Sequence, residues 1–299
     1  MIKRFGLLAI LSLQVLLSQA WADSRLDKIR ETQTIIIGYF DGDFPFTYQN
    51  PQQHTTGFGI DLANVISQSI AKELKLNSIT LKFQKLTHEN RFDLLNQGKA
   101  DISCGTHSNI PSHHQSINFS HNFFVAKSRL LVPIQSDIKG YKDMEGKRVG
   151  FVKNSPIMNT LSSKAKQFKF GEMREVASLE EGLNLMEHKE LEAFVEADIL
   201  LQSALAQKNL NHRYHFVGQA LTIEHYACIL PFNDKTFKET VDYILALYYL
   251  NGSAERLFKQ WFLAPIETEN GQKVTLNFEL SPSLKRLYDF PNDRPIGSE

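Results

Sequence analysis

The chain has 299 residues, with 33 Lys+Arg against 33 Asp+Glu for a formal charge of zero, and 42% of it is hydrophobic. At roughly 150 residues per domain this is a two-domain length with room for a real core, so neither disulfides nor metals are needed as staples. The balanced charge excludes a nucleic-acid binder built on a basic excess, and 22% charged with 11% aromatic residues excludes a disordered chain.

Residues 1–22 read as an export signal. Lys3 and Arg4 form a positive n-region, Phe5 to Leu17 is mostly apolar, and Ala20-Trp21-Ala22 supplies a small-x-small cleavage site before Asp23. The apolar run is shorter than the ~20 residues that span a bilayer, which argues against a membrane anchor. No cysteine sits at the cleavage point, which argues against a lipoprotein. Taking Lys3 and Arg4 from the 33 basic residues leaves 31 against 33 acidic, a formal charge of −2 for an exported mature chain. Outside the cytoplasm an even cysteine count favours a bridge between Cys104 and Cys228, with two buried free thiols as the alternative.

Thr34 to Phe40 is β-branched and apolar, as expected of a strand buried on both faces. Asp61 to Leu76 carries apolar residues at Leu62, Val65, Ile66, Ile70 and Leu74, an amphipathic helix. Ile79 to Leu86 alternates like a strand, Thr87 is placed to N-cap a short helix that Gly98 ends, and Ala100 to Cys104 forms the next strand. This alternation predicts a doubly wound α/β unit.

A second unit begins near Ser136, with a strand over Lys147 to Val152 and a helix through Leu161 and Ala165. Ser178 with Glu181 forms a capping box for a helix running to about Lys189. Leu191 to Val195 reads as a strand, and Asp198 caps a helix to about Gln207. Two further helices, Phe237 to Leu250 and Ser253 to Phe262, precede an irregular tail.

Four stretches then carry a resemblance. They are Gly57-Phe58-Gly59-Ile60-Asp61-Leu62; Asn90 to Leu95 followed by Gly98-Lys99-Ala100-Asp101; Asp143 to Val149; and the ending Leu276 to Ser281 with Phe290-Pro291-Asn292-Asp293. In that order the chain resembles the periplasmic solute-binding proteins of ABC importers, the polar amino-acid family (family 3), and most closely its glutamate/aspartate-binding branch. Gly59 stands where the family signature has an acidic residue.

The resemblance implies a two-lobed periplasmic-binding-protein fold of type II with a ligand cleft between lobes. The first lobe would comprise residues 23–132 and the return 223–299, and the second residues 133–222. It also implies a Cys104–Cys228 disulfide, since the branch has cysteines at both positions. The implied partners are a small polar ligand and a membrane permease, with no cofactor, no metal and no nucleic acid, the protein acting as a periplasmic monomer.

A free amino acid presents a carboxylate and an ammonium, and charge-assisted hydrogen bonds supply most of the specificity for both. By family position Arg91, Thr106 and Ser108 would serve the ligand from the first lobe, and Asp198 would receive its ammonium from the second. Read as bare residues, Arg91 is equally a surface arginine and Asp198 a helix cap. Three positions depart from the pattern: His113 and Phe40 stand where the branch has arginines, and Asn154-Ser155-Pro156 replaces a Gly-Thr-Thr turn. Loss of two cations predicts either a differently posed amino acid or a less anionic amine-bearing ligand.

His107, His113, His114 and His121 cluster in sequence, but their spacing is not a zinc pattern. The competing functions are a periplasmic dehydratase-type enzyme on the same scaffold, with Glu196 as its acid or base, and a ligand-sensing module.

Overall fold

The computed structural model describes residues 24–153 and 155–295. The export signal with its cleavage point, and Asn154, lie outside the described residues. In chain order the first elements are α1 (Arg25–Thr32), β1 (Thr34–Tyr39), a small hairpin of β2 (Tyr48–Gln49) and β3 (Thr55–Thr56), α2 (Phe58–Glu73), β4 (Thr80–Lys85) and α3 (Arg91–Asn96). There follow β5 (Asn118–Pro133), β6 (Arg148–Val152), α4 (Ile157–Phe168), β7 (Glu172–Val176), α5 (Leu179–Glu187), β8 (Ala193–Ala197), α6 (Asp198–Gln207) and β9 (Tyr214–Leu230). The chain closes with α7 (Lys235–Leu250), α8 (Ser253–Phe262), β10 (Ile266–Glu267), β11 (Lys273–Val274) and α9 (Pro282–Asp289). This is the expected two-lobed α/β fold.

One sheet runs β7-β6-β8-β5-β9, with β6 parallel to β7 and β8, and β5 antiparallel to β8 and β9. Its two faces feed separate cores, because neighbouring residues of a strand point to opposite sides. Leu130, Val149 and Val195 join one cluster, while Leu131, Phe194 and Leu201 join the other. A second sheet is built on β1 and β4, which are parallel from Thr34↔Thr80 to Tyr39↔Lys85. Bridges Ile37↔Ile102 and Ser103↔Ile229 extend it through residues 101–104 to β9. Strands β5 and β9 therefore serve both sheets, paired from Asn118↔Leu230 to Pro133↔Tyr214 with register shifts on the way. The largest core unites α1, β1 and α2 with α7, α8 and α9, so the two ends of the chain share it.

Several expectations need correction. Ala100 to Cys104 forms two single bridges rather than a strand, since its Asp101 side chain, not a ladder, satisfies Ile36 N–H at 2.8 Å. Helix α2 starts at Phe58, earlier than Asp61, because the tight packing at Gly57 and Gly59 admits the helix sooner. Thr87 does not cap α3: Asn90 occupies that position, and the Thr87 hydroxyl accepts its N–H at 3.3 Å. Asp198 is the first helical residue of α6, the cap position being Ala197. The tail is not wholly irregular, for Ser281 caps α9 through Leu284 N–H at 3.2 Å. The capping box is present: Ser178 Oγ accepts Glu181 N–H at 3.1 Å, while Glu181 reaches back to Ala177 N–H at 2.7 Å.

Cys104 and Cys228 form a disulfide that ties residues 101–104 to β9. No helix of the described residues is long and apolar enough to cross a membrane.

Candidate functional site

Residues 105–109 leave the carboxyl end of the β1-side sheet, where open α/β sheets bind ligands. Glycine governs the approach: at Gly57 φ is +134° and a Cβ would lie 2.1 Å from Phe46 O, while at Gly59 it would lie 1.6 Å from Cys104 O. The start of α2 is thereby pressed against the segment bearing the polar groups. Thr106 donates its hydroxyl to Asp43 Oδ2 at 2.6 Å and its N–H to the same oxygen at 3.3 Å. Burial raises the Asp43 carboxyl, partly offset by those two bonds and by His88. Ser108, bridged to Tyr226, donates to Glu224 Oε2 at 2.8 Å, and Ser128 of β5 donates to Oε1 at 3.0 Å. Glu224 is buried, which raises its carboxyl against the lowering effect of the two hydroxyls.

From the other sheet, β8 brings Glu196 and α6 brings Asp198. Glu196 is 3% exposed, and its Oε1 accepts Ala197 N–H at 2.9 Å. Burial, and secondarily the charge of Glu224, push its carboxyl up to about 7. Ser155 lies beside it, with a buried hydroxyl that lacks a well-formed hydrogen bond. Asp198 Oδ1 accepts Lys127 N–H at 3.0 Å and Ile199 N–H at 2.9 Å, and burial raises this carboxyl too. The buried Tyr226 hydroxyl is raised by desolvation and then by the charges of Glu224, Glu196, Asp43 and Asp198, so all four carboxylates act on it electrostatically.

A second neighbourhood holds Phe40, Arg91 and His113. Phe40 is buried, stacked on His88 at 4.8 Å and tilted against His107 at 5.3 Å. The Arg91 guanidinium donates to the His88 carbonyl and lies 4.3 Å over the Phe92 ring. His113 meets the same ring edge-on at 5.0 Å. Burial, then Arg91, lowers His113, while burial holds His107 well below the ordinary histidine range, its Nε2 paired with Ser103 Oγ at 2.9 Å.

The structure thus groups Thr106, Ser108 and Ser155 around carboxylates, and sets Phe40, Arg91 and His113 among aromatic rings. The four clustered histidines do not converge: His114 binds Asn109 Oδ1 at 2.6 Å, and His121 sits 3.8 Å from Asp242. No group of three or more His, Cys, Asp or Glu among the described residues is placed to hold a metal.

Sequence reasoning missed Asp43, Ser128 and Glu224. Asp43 had a signal, an acidic turn just past a strand's carboxyl end. Glu224 had none, since its partners Ser128 and Ser108 lie 96 and 116 residues away. A concavity of about 560 Å³ borders Lys127 and Arg129, on the side of β5 away from Ser128; of the expected site residues only Asp198 lines it. It carries Ser281 and Ser283 but none of the residues 105–109 at the carboxyl end of the β1-side sheet, so the candidate site is taken as the group around Tyr226.

The family of bacterial extracellular solute-binding proteins, family 3, matches residues 35–264. The glutamate/aspartate import solute-binding protein of Salmonella typhimurium is 32% identical over 277 residues, 92% of this chain and 90% of that protein. An L-glutamate/L-aspartate-binding protein of Pseudomonas aeruginosa is 28% identical over 90% of this chain and 89% of its own. Among solved structures, a Streptococcus pneumoniae ABC uptake transporter substrate binding protein with bound histidine has a TM-score of 0.68 at 18% identity. It covers 81% of this chain and 98% of its own, a likeness of fold. With sheets, crossing strands and family match all in agreement, the chain belongs to the bacterial extracellular solute-binding proteins, family 3.

Proposed function

We propose that this protein captures an amino acid or a close amine-bearing relative in the periplasm and delivers it to the permease of an ABC importer, as a monomer and without chemistry. In this reading residues 1–22 are removed as a signal peptide, residues 23–132 with 223–299 form one lobe, and residues 133–222 form the other. Arg91, Thr106, Ser108, His113, Asp198, Phe40 and Ser155 would face the ligand, joined by Asp43, Ser128, Glu196 and Glu224.

The observation that supports the reading is that Ser108, from one sheet, binds Glu224, whose charge acts on Glu196 of the other sheet, with Ser155 beside Glu196. Groups contributed by both sheets can close on a small polar molecule, a hinge motion that needs no catalytic group. The alternative is a dehydratase-type enzyme: a carboxyl pushed up to about 7, as at Glu196, is poised for proton transfer near neutral pH.

A thermal-shift screen of residues 23–299 against amino acids, polyamines and small organic acids tests both. Saturable stabilisation by one ligand class without turnover is the expected result. Consumption of the stabilising compound would select the enzyme instead, and stabilisation only by a class lacking an amine would overturn the ligand assignment.

A further inference from the structure

The charge of the candidate site is lopsided. Glu196, Asp198 and Glu224 are 3%, 8% and 2% exposed, and Asp43 joins them around Tyr226. Among the described residues, none of these four carboxylates has a basic nitrogen within 4.0 Å, whereas Asp101, equally buried, has Lys28 at 2.7 Å and Arg25 at 3.4 Å. Buried charge without a partner is strongly unfavourable, and a protein relieves it by protonation or by binding a cation.

Of the nearby cations, Lys127 and Arg129 act on Asp198, and among the described residues none forms an ion pair with Glu196. Arg91 is committed to the His88 carbonyl and the Phe92 face. Arg129 pairs with Glu196 across the ladder, but its guanidinium lies 5.2 Å over the Phe216 ring; with Lys127 it borders the concavity, where both charges act on Asp198.

The acceptors differ in how far they are used. Glu224 already takes two hydroxyl hydrogen bonds and Asp198 two N–H bonds. Glu196 takes one well-formed hydrogen bond, from a backbone N–H, with the Ser155 hydroxyl close by, so its carboxylate keeps acceptor capacity. That Ser155 hydroxyl is buried and makes no well-formed hydrogen bond. Across β5, Thr222, which pairs with Ser128, carries a second buried hydroxyl without a partner. An ammonium group is a point charge with three donors, the complement of a buried carboxylate flanked by hydroxyl oxygens.

We propose that Glu196 is the specificity-determining residue of this cleft, and that it selects an ammonium-bearing ligand of zero or positive net charge over an acidic amino acid. The proposal rests on the amino-acid reading above and narrows it. A second carboxylate on the ligand would enter a site that already holds Glu196 and Glu224 together, where like charges at close range cost most. The ligand's ammonium would instead supply the missing counter-charge.

Calorimetric titration of residues 23–299 with L-glutamate, L-glutamine, L-arginine and putrescine at pH 7.5 tests this. The expected result is that at least one of the last three binds roughly tenfold or more tightly than glutamate. Glu196→Gln should weaken that ligand by roughly tenfold while leaving glutamate unchanged or improved, a change of ratio that mere loss of structure does not produce. Glu224→Gln, read in the same way, keeps the test open if Glu196→Gln does not fold.

Preferential binding of glutamate would overturn this proposal while leaving the amino-acid reading intact. An unchanged ratio in foldable variants would also overturn it. Failure of all four compounds to bind would sink the proposal together with the reading beneath it.

Discussion

Gly59 offers a test in which local and tertiary forces predict opposite signs. Inside a helix, replacing glycine by alanine normally stabilises by about 0.5–1 kcal/mol, because alanine loses less backbone freedom on folding. At Gly59 the new Cβ would lie 1.6 Å from the Cys104 carbonyl oxygen, against 3.4–4 Å for ordinary contact. The backbone carbonyl cannot swing aside like a side-chain tip, and the disulfide from Cys104 to β9 further restrains it. Ordinary overpacking costs about 1–3 kcal/mol, and a backbone displacement approaching 2 Å belongs at or beyond the upper end of that range.

Gly59→Ala should therefore lose about 3 kcal/mol or more in urea unfolding. It should also weaken ligand binding, because Thr106 and its bond to Asp43 follow Cys104 directly. Gly146→Ala is the control: φ there is +71° and a Cβ meets nothing within 4 Å, so only the left-handed backbone is penalised, by about 1–2 kcal/mol. A Gly59→Ala variant as stable as the parent would refute the packing argument.

Two further predictions concern the disulfide and the buried carboxyls. Cys104 and Cys228 are 124 residues apart, so in the chain-entropy model their bridge contributes about 5 kcal/mol, and the double alanine variant should show a correspondingly lower denaturation midpoint; a shift of under about 1 kcal/mol would contradict this. Glu196 titrates at about 7 in the folded chain against an ordinary 4.5, so between those values the folded state holds a proton that the unfolded state has released. Its contribution to ligand-free stability therefore falls as pH rises through that window, by about 3 kcal/mol, and Asp43, Asp198 and Glu224, also raised, act in the same direction. Unfolding midpoints of the parent and Glu196→Gln at pH 5 and 7.5 check this: the variant should show a clearly smaller fall.

The family motifs proved legible for a physical reason that differs from site chemistry. Asp61 accepts the Trp261 indole N–H at 2.8 Å, and Asp101 anchors Lys28, Arg25 and Ile36 N–H. Such residues sit within short motifs and tie together elements distant in the chain. Helices α7 and α8 were likewise readable from their periodicity, α8 with the expected bounds of Ser253 to Phe262. Strands β5 and β9 were not. Each crosses from one sheet to the other, so its burial pattern changes partner midway and never settles into alternation.

Taken alone, the sequence determined the family, the α/β class and the pairing of the two cysteines, because these depend on local pattern and motif order. Only the tertiary structure decided what the site groups face. Glu224 meets Ser108 and Ser128 across 116 and 96 residues, and Glu196 reaches Ser155 from a different strand. The same folding turns Arg91 onto His88 and Phe92. Local charge is a sum over side chains brought together by long-range pairing. A chain of zero formal charge can therefore hold four carboxylates that act together on Tyr226 and, among the described residues, make no salt bridge, and its composition gives no sign of it.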